Sequence, residues 1–154
     1  MNAMAPTRPT ELQVCRVRLT ASPAAAGEAR GQVRAAICAW DAPVDLDVAV
    51  LLTSELVTNA ISHEAGATVT LTITCICGQL RVDVHDTSYA APVLMDAPAD
   101  AEAGRGLMLV ASLSTDWGFH RTPAGKAVYF TLAFQADLDE GDDRSLQGDR
   151  TWVR

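Results

Sequence analysis

The stretch Glu55-Leu56-Val57-Thr58-Asn59-Ala60 decides how the rest of the chain is read. It sits in an apolar run carrying Val48, Leu51, Leu52, Leu56 and Ile61, whose helical spacing predicts a helix from about Val44 to His63, ending near Gly66. Glu55 and Asn59 are four apart, so they share one face of that helix, about one turn from each other. Two readings follow from a carboxylate and a carboxamide among leucines. They form an ordinary solvated stripe, or they are aimed together at a ligand, and spacing alone favours the stripe.

Downstream, Thr68 to Cys77 alternates, with Val69, Leu71, Ile73, Cys75 and Cys77 on one face and threonines on the other. Gly78-Gln79 then reads as a two-residue hairpin turn, and Leu80 to His85 returns with Leu80, Val82 and Val84 on the buried side. After Asp86 the pattern stops. Thr87 to Ala103 shows neither period, and a structureless stretch of that length inside a domain is usually functional. Gly104-Arg105-Gly106 ends it, Leu107 to Leu113 reads as a helix, and a last hairpin runs from Trp117 to Phe134 around Pro123-Ala124-Gly125.

Upstream, Cys15, Val17 and Leu19 alternate with Arg16 and Arg18, the pattern of a half-buried strand. Ser22-Pro23 supplies an N-cap and a first-turn proline for an alanine-rich helix reaching Trp40, and Asp41 to Pro43 breaks it. Strands with one apolar and one threonine-rich face need cover on one side only. The expected fold is therefore α/β, a two-layer sandwich with a largely antiparallel, mixed sheet and helices on one face. Residues 1–12 read as a flexible arm, 13–135 as the domain, and 136–154 as an acidic, disordered tail in which Asp137, Asp139, Glu140, Asp142 and Asp143 repel one another.

The formal net charge of -7, with Lys126 the only lysine, argues against direct binding to nucleic acid or an anionic membrane. No window approaches the roughly 20 apolar residues of a membrane span, and Met1 to Thr10 lacks the apolar core of a signal peptide. A cytoplasmic protein with reduced thiols is expected. Cys15, Cys38, Cys75 and Cys77 read as small buried hydrophobes, because no spaced Cys or His pair completes a zinc set.

Two further features could carry chemistry. Asp86 at a strand end can accept a hydrogen bond from an exocyclic amine, or it can simply open a turn. Gly104-Arg105-Gly106 before a helix allows close approach of a phosphate to backbone N–H groups, although it is no Walker A loop, since no Gly-Lys-Ser/Thr follows.

Taken in order, Glu-Leu-Val-Thr-Asn-Ala on a helix, a hairpin ending in Asp86, a long loop and Gly104-Arg105-Gly106-Leu107 resemble the GHKL (Bergerat-fold) ATP-binding family. The likeness is closest to its short anti-sigma-factor serine/threonine kinases and runs from about Val14 to Phe134. It implies that Asn59 holds the Mg²⁺ bridging the phosphates of ATP and that Asp86 accepts the adenine amino group. Gly104, Arg105, Gly106 and Leu107 would line the phosphates, Thr87 to Ala103 would be the lid, and Glu55 would be the general base. The implied partners are a sigma factor or an anti-sigma antagonist protein, with a homodimer also compatible. A non-catalytic binding module on the same fold is the alternative. Two departures stand out: Asp86 is followed by Thr87-Ser88-Tyr89-Ala90 where the family has glycines, and Gly125 by Lys126 where a threonine is common.

Overall fold

The computed structural model describes residues 11–61, 68–87 and 102–135. Most of the arm and of the expected lid, the acidic tail, His63 and Gly66 lie outside them. The elements run β1 (Gln13–Thr20), α1 (Ala25–Trp40), α2 (Leu46–Ile61), β2 (Thr68–Ile76), β3 (Gln79–Asp86), α3 (Glu102–Leu113), β4 (Asp116–Thr122) and β5 (Gly125–Ala133). One five-stranded sheet in the order β1-β2-β3-β5-β4 carries three helices. Every described pairing is antiparallel, so the expected mixed character is absent among these strands.

The alternation of the strands sets the layers. Leu71, Ile73, Leu80, Val82, Val84, Val128 and Phe130 are all buried on the helix-facing side. Residues between them, such as Arg16, Arg18, Thr70 and His85, stand on the open face. From α1 the buried stripe is Ala25, Ala29, Val33, Ala36 and Ile37, at helical spacing. Helix α2 is the centre of the covering layer, packed between α1 and α3 and resting on β2, β3 and β5.

Several boundaries differ from the sequence reading for local reasons. Ser22 does not cap α1: its carbonyl takes the Ala25 N–H in a turn, and the first α-type bond runs from Glu28 N–H to Ala24. Asp41 ends α1 in the left-handed region (φ 50°), which lets Ala42 N–H reach back to Ile37 O. Helix α2 starts later than expected because Asp45 caps it, its Oδ1 accepting from Val48 N–H at 3.1 Å. The first hairpin turns at Cys77-Gly78, both with positive φ (50° and 76°), which is the handedness that a twisted two-residue hairpin requires. Cys77 therefore leaves the strand and is exposed, as is Cys38, whereas Cys75 stays buried and its thiol is pushed up by that burial. Leu51, counted with the apolar face of α2, is 39% exposed; Ala49, Leu52, Leu56 and Ala60 form the inner stripe instead.

Replacing Asp45 by Ala should cost about 1 kcal/mol, the usual loss for a side-chain N-cap, without altering the sheet. Urea denaturation would show this as a lower midpoint with an unchanged slope.

Candidate functional site

Helix α2 presents Glu55 half-buried and Asn59 buried, one turn apart, so the helical pairing read from the sequence holds. Both lie beside the apolar stripe of Leu52, Leu56 and Ala60. Arg30 of α1 reaches the same helix one residue earlier, donating from Nη1 to Ser54 Oγ at 2.6 Å.

Glu55 is packed against α3. A Cβ placed on Gly106 would meet the Glu55 Oε2 atom and stand 3.4 Å from its Cδ, so any larger residue there would oblige the carboxylate to move. Two motifs far apart in sequence are thereby brought together. Gly104, Arg105 and Gly106 do not precede the helix, however. Helix α3 begins at Glu102, so the Gly-Arg-Gly run occupies its opening turns. Leu107 is 1% exposed and belongs to the hydrophobic core with Val110, so any part it takes in a ligand site falls to its backbone.

The other half of the site is built where β3 ends beside the start of β5. Asp86 continues the inward-facing series Leu80, Val82 and Val84, and its register partner is Lys126. Lys126 is buried as deeply as the core leucines, and its Nζ lies 3.3 Å from Asp86 Oδ1 and 3.2 Å from Oδ2. Neighbouring Gly125 permits this approach. A Cβ there would strike the Asp86 carbonyl and come within 2.7 Å of Thr87 Cα. In the next strand Arg121 is paired in register with Lys126 and continues the row on the same face.

This ammonium is the residue that the sequence reading missed. The expected turn at Pro123-Ala124-Gly125 is shorter, Pro123-Ala124, and Lys126 stands second in β5, after Gly125. The signal was present in the alternation: Lys126, Val128, Phe130 and Leu132 share a face, which puts a lysine at a core position. Thr131, the only candidate for the threonine absent after Gly125, faces the other way and donates to Asp116 O at 3.4 Å.

Fit to ATP·Mg²⁺ therefore differs between the two halves. On the α2–α3 side, a carboxylate, a buried carboxamide and a glycine without room for a Cβ suit a phosphate-bearing ligand. On the β3–β5 side, the carboxylate expected to read adenine is held by a buried cation. Among the described residues no group of three or more His, Cys, Asp and Glu side chains is arranged to hold a metal ion.

Breaking the Asp86–Lys126 pair from one side should be costly, because it removes the opposite charge from a buried ion. Lys126→Ala is expected to lose about 3–5 kcal/mol of stability, and Lys126→Met with Asp86→Asn to regain most of it. Thermal denaturation of the two variants checks the difference.

No helix among the described residues is long and apolar enough to cross a membrane. No curated protein matches the chain. A family model described as the histidine kinase-like ATPase domain matches residues 19–132, from the end of β1 almost to the end of β5. That span includes both halves of the site, and the open antiparallel sheet with helices on one face is the two-layer architecture expected of it. The chain belongs to the histidine kinase-like (GHKL-type) ATPase domain family.

Proposed function

We propose that this protein is an ATP-dependent serine/threonine protein kinase acting as an anti-sigma regulator, which binds a sigma factor and phosphorylates an antagonist protein. Membership of the family supports an ATP-binding regulatory role. The observation that carries the finer reading is the contact between Glu55 and Gly106. It supports a base standing beside the segment assigned to the phosphates. Phosphoryl transfer asks chiefly for positioning, neutralised charge and one well-placed base.

In this reading Glu55 takes the proton from a serine hydroxyl. Asn59 orients the Mg²⁺ side of the nucleotide, and the backbone of Gly104, Arg105, Gly106 and Leu107 flanks the phosphates. Asp86 receives the adenine amino group. Bound ATP with Mg²⁺ supplies the transferable phosphoryl group.

A second reading, a binding module that holds a protein partner without catalysis, is favoured by one observation. Lys126 already occupies Asp86, at 3.2 Å to Oδ2. A base amine would have to share or displace that ammonium, which opposes tight nucleotide binding.

Calorimetric titration with ATP and with ADP in Mg²⁺ separates these readings. The kinase reading expects affinity in about the micromolar range, lost in Asn59→Ala and weakened in Asp86→Asn. The asparagine is preferred to alanine because it keeps the volume beside Lys126. No heat with the wild type would leave the binding module. For transfer itself, radiolabelled ATP and a candidate antagonist should give labelled antagonist. Glu55→Gln, which preserves the packing on Gly106, should slow transfer about 10²–10⁴-fold, the usual worth of a general base. Undiminished transfer in that variant would remove Glu55 from the reaction.

A further inference from the structure

The face of the sheet turned away from the helices carries a groove of about 550 Å³, lined by Arg16, Arg18, Thr68, Thr70, His85 and Thr122 among others. It stands on a cross-strand row. Arg18 of β1 is paired with Thr70 of β2, Thr70 with His85 of β3, and His85 with Ala127 of β5. Ala127 is in turn paired with His120 of β4. The two imidazoles stand edge to face, 6.4 Å apart, across that small residue.

The charge of this groove does not match that of the chain. The protein carries a formal charge of -7, yet two guanidiniums stand side by side here, each facing a threonine across the strand. Neither Arg16 nor Arg18 has an ion pair among the described residues. The other arginine of the open sheet face behaves differently: Arg81 is bonded to both oxygens of Asp83, at 2.9 and 3.0 Å, and stacks 4.0 Å over Tyr129. Asp86, which also lines the groove, adds no uncompensated negative charge, since Lys126 holds its carboxylate. Guanidiniums, hydroxyls and an imidazole around one concavity form the donor set of a tetrahedral oxyanion. The volume exceeds that of a bare ion and leaves room for an attached group.

We propose that this groove is a second ligand site, on the sheet face turned away from Glu55, Asn59 and Gly106 and bordered by Asp86, which takes a phosphate monoester on Arg16 and Arg18 with Thr70 and His85 completing the contacts. Each guanidinium donates to a phosphate oxygen, the Thr70 hydroxyl donates to another, and His85 donates from its ring. Burial, His120 and Arg16 hold His85 below the usual histidine range, against the opposing pull of Asp83 and Asp86. The imidazole is thus neutral in the empty groove, and a bound dianion raises its affinity for a proton. Its phosphate contacts use none of Glu55, Asn59, Asp86 or Gly106, so it stands or falls separately from the kinase reading.

The test follows the His85 and His120 imidazole resonances of the whole protein by NMR. Inorganic phosphate, O-phosphoserine and glycerol phosphate are titrated at ionic strength held constant with chloride. The expected result is a saturable shift of His85 with both esters, its titration moving upward. Arg16→Gln with Arg18→Gln, both exposed positions, should weaken binding by at least about tenfold while the remaining amide spectrum stays folded. A shift that never saturates, or an equal response to added chloride or in the double variant, would mean screening only and overturn the site. Saturation by inorganic phosphate without either ester would overturn the monoester assignment.

Discussion

A five-stranded sheet with helices on one side can be dry on that side only, and the rest of this molecule follows from how far the dry region extends. Leu56 of α2 and Val82 and Phe130 of β3 and β5 are within it, each almost fully excluded from water. Polar residues that continue the same inward-facing positions are excluded as well, because strand and helix periods do not stop where the leucines do. Asn59, Asp86 and Lys126 are such residues, all buried. Each therefore needs a polar partner or a ligand, since an uncompensated polar group there costs several times the worth of an ordinary hydrogen bond. The candidate site is the rim of the core where inward positions change from apolar to polar.

The Asp86–Lys126 pair shows how that requirement is met without a ligand. Two charges leave water, and their mutual attraction at 3.2 Å repays a desolvation penalty of several kcal/mol per ion. Such pairs contribute little net stability, but they resist the loss of either member. A neutral threonine at the same position would leave the carboxylate open to an incoming amine. The lysine sets a higher threshold: the entering group must match what an ammonium supplies, or the ammonium must stay and take part. Gly125 belongs to the same arrangement, because strand β5 could not come so close to Asp86 and Thr87 with any side chain there.

Much of this was legible beforehand because periodicity reports faces directly. The alternation in β2 and β3, the helical spacing around Glu55 and the break at Asp41 all reappear in the structure. What escaped the reading were events decided by a few atoms. The turn at Cys77-Gly78 depends on the sign of φ at a non-glycine residue, which composition does not announce. The start of α3 at Glu102 absorbs two glycines that usually mark a loop, so propensity gave way to packing on α2. Lys126 follows the turn in the sequence, and its spacing from Val128 and Phe130 places it in the core, but a lone lysine beside a turn does not announce a buried cation. The sequence order made the family legible, whereas the occupant of Asp86 required the strand register.

The same register gives the two faces of the sheet opposite characters within one residue of each other. His85 and Asp86 are adjacent in β3, yet alternation sends the imidazole to the open face beside Arg16 and Arg18 and the carboxylate inward to Lys126. A single short strand end thus carries both an imidazole on a basic, solvated groove and, at the groove's border, a buried, compensated carboxylate. Inward, the low dielectric makes charge expensive and forces pairing; outward, water screens the arginines and leaves them available. Both properties depend on the pleat of β3 near its end and on Gly125 holding β5 against it.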